Sequence, residues 1–443
     1  MYVRVVELDN LRGFEHLRFD LEQPGRKHAG WTVIVGDNGS GKSAFLKAVA
    51  LCLVGPDVAR SLEESMIGWV RQEADEAALR VQLVADPEVD KFREIGRPHE
   101  KPFWAEMEIA HNGDDRNPVP VLRPARGDKR RSKGGRGPIR GPWADSPPGW
   151  FCAGYGPFRR LYGSSSEAAR LMHAPGAIGR FVTMFHEDAA LTEADLWLKD
   201  LAFRSRFEDA RAERTLTTVT ELLNDEFLHG GLRVARVDPD GVWLRDTGGV
   251  ALPMRDMSDG YRAALGLLVD IVRHMVDVYG LDGLLERTLE GCRVARPGVI
   301  LIDEIDVHLH PEWQRKIGAW LRSHFPHVQF IVATHSPFIA QEADERMVFR
   351  LLAPGTRGDP YQVSKEEYDR IRRGTASDVL TTSVFGLSHT RSARAVASRQ
   401  RYSRLSAKKQ GPGLTPAEEQ QLRLDLAFVD PDDARMAGEA RGD

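Results

Sequence analysis

The segment GDNGSGKS, residues 36–43, has the residue types and spacing of a phosphate-binding loop. It matches the pattern G-x-x-x-x-G-K-[ST] at every position. A glycine-rich turn lets several backbone N–H groups converge on phosphate oxygens, and the following helix adds its positive amino-terminal end. Lys42 would reach the β- and γ-phosphates, and the Ser43 hydroxyl would be a ligand of Mg²⁺. The segment therefore predicts a nucleoside triphosphate site. Its loop residues are Asp37, Asn38, Gly39, Ser40, Gly41, Lys42 and Ser43.

Two adjacent carboxylates end the apolar run of the segment VILIDEID, residues 299–306. The run predicts a buried strand, and ligands of open α/β sheets bind at the carboxyl ends of the strands. Asp303 would hold Mg²⁺, usually through water, and Glu304 would orient and deprotonate the attacking water. Because apolar strands often end in acidic residues, it is the pairing with the phosphate loop that favours a catalytic role.

Histidines occur in two further segments that could serve the same chemistry. His335 ends the apolar run of VATHSPF, 32 residues after Asp303, and could hydrogen-bond the γ-phosphate or the attacking water. A structural role at the strand end is the alternative. His308 and His310 form an H-x-H pair that could indicate zinc, but no third or fourth ligand lies at a useful spacing. We therefore favour a loop that touches the nucleotide or an opposing subunit.

The spacing of apolar residues indicates which elements position these side chains. The continuous apolar runs in WTVIVG, PGVILIDEID and QFIVATHS predict strands buried on both faces. Alternating apolar residues predict two short strands within residues 2–22. Similar segments around 79–84 and 103–109 predict an antiparallel sheet beside the core. Residues 190–230 have helical periodicity, and residues 232–253 predict a hairpin.

Composition limits the class of protein. The 443 residues are enough for two or three units, and 42% hydrophobic with 28% charged residues fits a soluble globular chain. The net charge of -4 argues against a polyanion-binding surface over the whole chain. The chain has three widely spaced cysteines, no secretory leader and no apolar run of the ~18 residues that span a bilayer. These features predict a cytoplasmic protein without a membrane segment.

Four segments in this order resemble those of the ABC-type ATPases of the SMC/RecF/OLD superfamily. They are GDNGSGKS, MSDGYR, LIDEIDVHLHP and ATHSPF. Asn38 and the early segment LDNLRGFEHLRFDLE are also similar, and the resemblance covers roughly residues 1–110 and 250–350. It implies an enzyme that hydrolyses ATP to ADP and phosphate with Mg²⁺, with Lys42, Glu304 and His335 as catalytic residues.

In that superfamily two head-to-tail subunits sandwich the nucleotide, and the signature turn of each covers the γ-phosphate bound by the other. The resemblance places Ser258 and Gly260 in this role, with Asp259 where transporters often have Gly. The helix beyond the turn has one apolar face, so its amino terminus would point at the γ-phosphate. A plain helix cap is the alternative. The apolar face consists of Leu268, Ile271, Val272 and Met275.

The glutamine with which such ATPases sense Mg²⁺ has no clear counterpart in the sequence. Gln82 lies on a predicted strand but comes early in the chain. The segment AGYGPFRR, which contains Arg159 and Arg160, is the other candidate for that region. The sequence therefore leaves the coupling mechanism open.

The spacing of the motifs indicates which member of the superfamily the chain is similar to. The 261 residues between Lys42 and Asp303 leave room for a compact helical lobe and not for a long coiled coil. The 107 residues that follow the last predicted strand, QFIVATHS, contain no series of acid-tipped strands and no nuclease motif. We interpret DPDDAR, residues 430–435, as part of a solvated tail. These features predict an ATPase that works with a separate effector.

The segments SDGYRAALGLLVDI and AGYGPFRR, and the tail that begins DVLTTSVFGL, resemble the PtuA-type ATPases of Septu anti-phage systems and related retron-associated ATPases. In those systems the ATPase accompanies an HNH endonuclease, which implies that ATP state controls a partner nuclease. The alternative is a RecF-like DNA repair ATPase that acts directly on DNA. A transporter subunit and an ATP-holding scaffold fit the sequence less well.

Two basic segments could face DNA or a partner. The segment 123–142 is rich in Arg, Lys, Gly and Pro; it could contact phosphates, but we favour an inert flexible insertion. A C-terminal arginine cluster is interpreted equally well as a docking or DNA-facing surface and as a solvated basic helix. The cluster consists of Arg391, Arg394, Arg399, Arg401 and Arg404.

Together these patterns predict an α/β fold. It is an ABC-type P-loop ATPase head with an antiparallel β-subdomain, a compact helical lobe and a helical C-terminal extension, and it forms a homo-oligomer. The predicted parts are the first half of the head (1–120), a basic flexible insertion (121–150), the helical lobe and hairpin (151–250), the second half of the head (251–355) and the extension (356–443).

Overall fold

The computed structural model describes residues 1–426 with gaps at 26, 92–99, 111–119, 126–136, 146, 162, 175, 289–290 and 357. Most of the basic segment 123–142 and all of DPDDAR therefore lie outside the described residues. The chain divides into two compact units, residues 1–379 and residues 380–443. The end of the predicted ATPase head at residue 355 lies inside the first of these units.

The described strands follow the chain in this order: β1 (Tyr2–Leu11), β2 (Phe14–Asp20), β3 (Gly30–Gly36), β4 (Glu76–Val84), β5 (Phe103–Ala110), β6 (Val121–Pro124), β7 (Cys152–Tyr155), β8 (Arg233–Asp238), β9 (Gly241–Arg245), β10 (Ala251–Pro253), β11 (Leu285–Thr288), β12 (Gly291–Val294), β13 (Gly298–Ile302), β14 (Val328–Ala333), β15 (Val348–Leu351) and β16 (Tyr361–Gln362).

The described α-helices are α1 (Lys42–Val54), α2 (Pro56–Leu62), α3 (Ser166–Met172), α4 (Val182–Phe185), α5 (Thr192–Ser205), α6 (Ala210–Asn224), α7 (Asp259–Tyr279), α8 (Pro311–His324), α9 (Pro337–Gln341), α10 (Lys365–Arg373), α11 (Ala376–Leu380), α12 (Ala393–Lys409) and α13 (Pro416–Leu426). Among the described residues, we find no helix with the length and apolar character that a membrane crossing requires.

A six-stranded sheet forms the centre of the first unit, in the order β16-β15-β3-β14-β13-β7. The strands from β15 to β7 are parallel to one another, and β16 pairs antiparallel at one edge. The inner strands β13 and β14 are buried at every position, as expected for parallel strands that are covered on both faces. The predicted buried strands are thereby confirmed.

A second, antiparallel sheet has the order β2-β1-β4-β5-β6. Its strands β4 and β5 alternate between buried and half-exposed residues, so one face turns to the core. Ten of the 13 residues of helix α1 belong to the hydrophobic core that includes strands of both sheets. A helix that is apolar all round is stable only when it is surrounded, and here it is.

The helical lobe consists mainly of α5 and α6, and the segment that we predicted as a hairpin is the three-stranded sheet β10-β9-β8. The long helix α7 follows this sheet. Its four predicted core residues, Leu268, Ile271, Val272 and Met275, are all buried. The predicted α/β head with an antiparallel subdomain and a compact helical lobe is thus confirmed.

The second unit contains a helical hairpin made of α12 and α13. Arg401 pairs with Asp425 at 3.0 Å, and Lys408 pairs with Glu418 at 2.6 Å. These pairs run in opposite order along the two helices, so the helices are antiparallel. One of the five arginines predicted as a basic surface, Arg401, is therefore engaged in holding the hairpin together.

Candidate active site

The five parallel strands bring the predicted site residues to one edge of the central sheet, because parallel strands end on the same side. Asp37 follows β3, Asp303 follows β13 and Thr334 follows β14. At the flanks of the sheet, Gly156 follows β7 and Leu352 follows β15. The phosphate loop, the two adjacent carboxylates and the segment that contains His335 therefore lie along one edge.

The phosphate loop depends on glycine at two places. Gly39 and Gly41 have φ angles of 78° and 94°, in the left-handed region that glycine adopts readily. A Cβ atom on Gly41 would lie 2.6 Å from the ring of Phe14, which belongs to β2. The loop therefore needs glycine here for its backbone conformation and for the close approach of the second sheet.

The Lys42 ammonium group donates hydrogen bonds within the loop, to the carbonyl oxygens of Gly36 at 2.9 Å and Asp37 at 3.1 Å. Burial lowers the pKa of Lys42, and the carboxylates of Asp303 and Glu304 act in the opposite direction. The lysine is thus held at the mouth of the loop, where phosphate oxygens would replace the two carbonyl groups as its partners.

The Asp303 and Ser43 side chains fit a magnesium site. Asp303 is 3% exposed and shares a side-chain hydrogen bond with Ser43. Its Oδ1 atom is buried and has no hydrogen-bond partner among the described residues. A buried carboxylate oxygen without a partner is costly unless a cation or a water molecule satisfies it. A carboxylate and a hydroxyl are the hard oxygen ligands that Mg²⁺ takes next to phosphates.

We expect Asp303→Asn to stabilise the nucleotide-free protein while it abolishes Mg²⁺-dependent turnover. Burial raises the pKa of Asp303, although Ser43 and nearby cations oppose this. When the pKa of a carboxyl group is higher in the folded than in the unfolded state, the free energy of unfolding of the protein falls as the pH rises between the two pKa values. At neutral pH the ionised group therefore destabilises the fold. Its removal should raise the free energy of unfolding by about 1 kcal/mol.

Thermal unfolding of Asp303→Asn with and without MgATP tests this expectation. The exposed Asp282 supplies the control substitution Asp282→Asn, which should change neither property. A variant that is less stable than the wild type at neutral pH would show that the ionised Asp303 supports the fold.

Glu304 lies directly beside the phosphate loop. Its φ angle of 45° puts a non-glycine residue in the left-handed region, which costs of order 1–3 kcal/mol. Glu304 lines a cavity of about 640 Å³ together with Lys42 and Ser43. Sequence reasoning missed three further basic residues that line this cavity from the second sheet and the segment before β4. They are Arg12, His16 and Arg71.

The segment after β13 is tied to the segment that carries His335. The Asp306 carboxylate accepts hydrogen bonds from the Thr334 hydroxyl and, at 3.4 Å, from the backbone N–H of His335. Gln314 on α8 donates to the Asp306 carbonyl at 3.2 Å and accepts from the Ser336 hydroxyl at 2.7 Å. The His335 side chain itself is exposed. Asp306 and Gln314 thus hold the segment that contains His335. The sequence analysis did not predict this role for either residue.

The H-x-H pair does not assemble a metal site. His310 caps α8, since its Nδ1 atom accepts a hydrogen bond from the backbone N–H of Glu312 at 3.3 Å. His308 has a left-handed backbone with φ of 66°. No group of three or more His, Cys, Asp or Glu side chains within the described part of the chain could hold a metal ion.

The signature turn does not serve as a side-chain cap. Ser258 is the N-cap residue of α7 and is exposed, but its hydroxyl accepts no hydrogen bond from the helix. Neither Ser258 nor Gly260 is among the described residues that line the cavity beside the phosphate loop. A Cβ atom on Gly260 would lie 2.4 Å from the carbonyl oxygen of His308. The turn therefore contacts the segment after β13 and leaves its serine hydroxyl unused.

The segment AGYGPFRR lies beside Asp303 and Glu304, the two predicted site carboxylates. Its first residues form β7, which pairs in parallel with β13 and places Tyr155 opposite Ile302. Arg159 is buried and donates to the carbonyl oxygens of Asp303 and Glu304. Gln82, the other candidate for the Mg²⁺-sensing position, lies on β4 of the antiparallel sheet, opposite Trp104. The geometry thus favours the region of AGYGPFRR for contact with the site.

Comparisons with known proteins found similar families, relatives and solved structures. The AAA domain family described as "putative AbiEii toxin, Type IV TA system" matches residues 150–340, and a second AAA domain family matches residues 6–95. Among solved structures, a SmcHead bound to the C-winged helix domain of ScpA has a TM-score of 0.46 and 16% identity. That match covers 83% of this chain and 99% of the other.

Curated relatives include the Septu protein PtuA of Bacillus mycoides (strain KBAB4), 22% identical over 347 residues. That alignment covers 76% of this chain and 38% of PtuA. The PtuA of Bacillus thuringiensis is 29% identical over 202 residues, 43% of this chain and 48% of that protein. The retron Ec83 probable ATPase of Escherichia coli is 34% identical over 145 residues, 31% and 24% of the two chains. The chain thus aligns with less than half the length of each relative.

The fold is the α/β P-loop ATPase head that the sequence predicted, and two AAA domain families match parts of it. Its motifs along the sheet edge resemble those of the SMC/RecF/OLD superfamily. Within that class the chain resembles the Septu PtuA proteins and the retron ATPases, as its sequence motifs predicted.

Proposed function

We propose that the protein binds ATP with Mg²⁺, dimerises head to tail around the nucleotide and hydrolyses it. We further propose that its nucleotide state controls a partner nuclease in bacterial anti-phage defence. The observation that carries the ATPase part is the Asp303 carboxylate. This carboxylate is hydrogen-bonded to the phosphate-loop residue Ser43, and its buried Oδ1 atom has no hydrogen-bond partner among the described residues.

The residues of the chain divide the chemistry among themselves. Backbone N–H groups of the loop and the Lys42 ammonium bind the phosphates, and Ser43 and Asp303 would hold Mg²⁺. The metal, when bound, supplies positive charge that stabilises the transferring phosphoryl group. Glu304 accepts the proton of the attacking water, and His335 hydrogen-bonds the γ-phosphate or that water. The buried surroundings of Asp303 and Lys42 strengthen these electrostatic interactions.

The dimer part of the proposal rests on the signature turn. Ser258 is exposed at the amino terminus of α7, a helix of 21 residues, and does not cap it. A helix amino terminus with an available hydroxyl is suited to an anion, and this anion would be the γ-phosphate in a second copy. Ser258 and Gly260 lie outside the cavity of their own chain, so a role in the partner copy's site fits their position.

The partner and the biological role are proposed from the relatives. Two of those described above are Septu proteins and one is a retron ATPase. The resemblance to PtuA-type ATPases implies an accompanying HNH endonuclease. We therefore propose a cytoplasmic complex of this protein with an HNH-type nuclease.

Phage challenge of cells tests this proposal. Phage should form fewer plaques on cells that express the protein together with its proposed HNH-type partner nuclease. Omission of either protein, or Lys42→Ala, should restore plaque formation. Protection by this protein alone would contradict the partner part of the proposal. ATP turnover that the isolated protein accelerates on added DNA would instead favour the RecF-like DNA repair function.

A further inference from the structure

We propose that Arg159 is a positioning residue that holds the catalytic loop, residues 303–305, in the conformation from which Glu304 acts on water. This inference deepens the proposed ATPase function and rests on it. Sequence comparison with ABC-type ATPases leads one to expect a glutamine in this region, and the chain has an arginine that faces the backbone instead.

The Arg159 guanidinium binds a set of carbonyl oxygens. Its Nη1 atom donates to the carbonyls of Gly156 and Asp303, each at 2.7 Å. Its Nη2 atom donates to the carbonyls of Glu304 at 2.9 Å and of Ile305 at 3.4 Å. Three of these four carbonyls belong to consecutive residues of the catalytic loop. The guanidinium is therefore the common partner of the whole loop.

This arrangement requires an unusual backbone. In a strand, the carbonyls of consecutive residues point in alternating directions, so one group does not bind three in a row. The left-handed φ of 45° at Glu304 turns the loop so that the three carbonyls face Arg159. Arginine suits this task because its planar fork presents five N–H donors in a fixed geometry. Lysine, with one rotatable ammonium group, satisfies the same set poorly.

Burial makes the contact stringent. Arg159 is 4% exposed, so carbonyls that lose the guanidinium would have little water to replace it. Burial lowers the pKa of Arg159 to about 10, with Asp303, Asp306 and Glu304 acting in the opposite direction. The group therefore remains protonated at neutral pH, and its charge lies against the backbone of the segment that contains Asp303 and Glu304.

The arginine also links the catalytic loop to the helical lobe. The carbonyl of the next residue, Arg160, accepts a hydrogen bond from the N–H of Leu191 at 2.6 Å. The Thr192 hydroxyl, at the start of α5, donates to the carbonyl of Leu161 at 3.0 Å. A displacement of α5 therefore reaches the catalytic loop through the segment that carries Arg159. In this way the position of the helical lobe would determine whether Glu304 is placed to act on water.

The test is steady-state ATP hydrolysis and ATP binding by Arg159→Lys, with Arg160→Lys as the matched control. Arg160 is the neighbouring arginine and is exposed, so its replacement should change neither quantity. We expect Arg159→Lys to lower kcat at least about tenfold and to leave the affinity for ATP within about twofold, because a misplaced group affects the chemical step most. A purely structural role would lower the melting temperature and leave kcat of the folded fraction unchanged.

A double variant distinguishes action through Glu304 from an independent effect. In the Glu304→Gln background, Arg159→Lys should lower the residual turnover no further. An equal further loss in that background would overturn the proposal. Arg159→Gln is the second single variant, and loss of folding in both would mean that Arg159 serves the core and would also overturn it. If the wild-type protein turns over no ATP, the proposed function itself fails. If the wild-type protein hydrolyses ATP and Arg159→Lys hydrolyses it at the same rate, the inference about Arg159 fails and the proposed function stands.

Discussion

Glu304→Gln is expected to lower ATP turnover by about 10²–10⁴-fold, the contribution typical of a positioned general base. Glutamine keeps the size and hydrogen-bonding capacity of the side chain and removes the carboxylate that accepts the proton of water. Lys42, Ser43 and Asp303 remain in place, so ATP should still bind. Phosphate release measures turnover. Light scattering in the presence of ATP should show that the proposed dimer accumulates, because hydrolysis no longer causes it to dissociate.

The exposed Glu366 on α10 supplies a matched control, since Glu366→Gln removes the same charge from a residue that does not line the cavity. This control should hydrolyse ATP at the wild-type rate. If Glu304→Gln also turns over ATP at that rate, another group is the base, and our assignment is wrong.

Ser258→Arg is expected to spare ATP binding by the single subunit and to abolish both ATP-dependent dimerisation and turnover. The exposed serine would face the γ-phosphate of the second copy, and the long side chain of arginine would hold the subunits apart. Loss of the donors that surround the reacting phosphate costs about a hundredfold or more in rate. Fluorescent ATP binding, light scattering and phosphate release measure the three properties separately. Normal dimerisation of this variant would refute the role of the turn between subunits.

A milder substitution tests the alternative that Ser258 is a plain cap. The Ser258 hydroxyl makes no capping hydrogen bond, whereas the Ser364 side chain accepts one from the N–H of Glu367 at the start of α10. Ser364→Ala should therefore cost about 1 kcal/mol of unfolding free energy, and Ser258→Ala should cost almost none. Chemical denaturation of the two variants measures this difference. An equal loss in both would mean that Ser258 caps α7 in solution.

Local patterns were sufficient to predict much of the head. The phosphate loop is contiguous and has a strict spacing, and the carboxylates of Asp303 and Glu304 directly follow an apolar run. The parallel sheet then brings both to one edge, as strands β3 and β13 show. Period-two alternation likewise predicted β4 and β5, because one face of the antiparallel sheet is buried.

Contacts between distant segments were beyond local patterns. Arg159 meets the carbonyls of Asp303 and Glu304 only because β7 pairs with β13, although more than a hundred residues separate the two strands. Sequence alone identified Arg159 as one of two arginines and did not show which of them faces the site. Gln314 shows the same limit, because its bond to Ser336 depends on how α8 lies against the sheet.

The contact between Gly260 and the His308 carbonyl has a consequence for the kinetics of the proposed dimer. In the proposed dimer the turn that contains Gly260 would cover the partner copy's nucleotide, while His308 follows the two carboxylates proposed to act on the chain's own nucleotide. Each subunit would thereby connect the two sites through a backbone contact that leaves no room for a side chain on Gly260. We therefore expect the two sites to hydrolyse ATP cooperatively, so that the rate depends sigmoidally on ATP concentration. A mixed dimer with one inactivated site should accordingly retain much less than half of the activity.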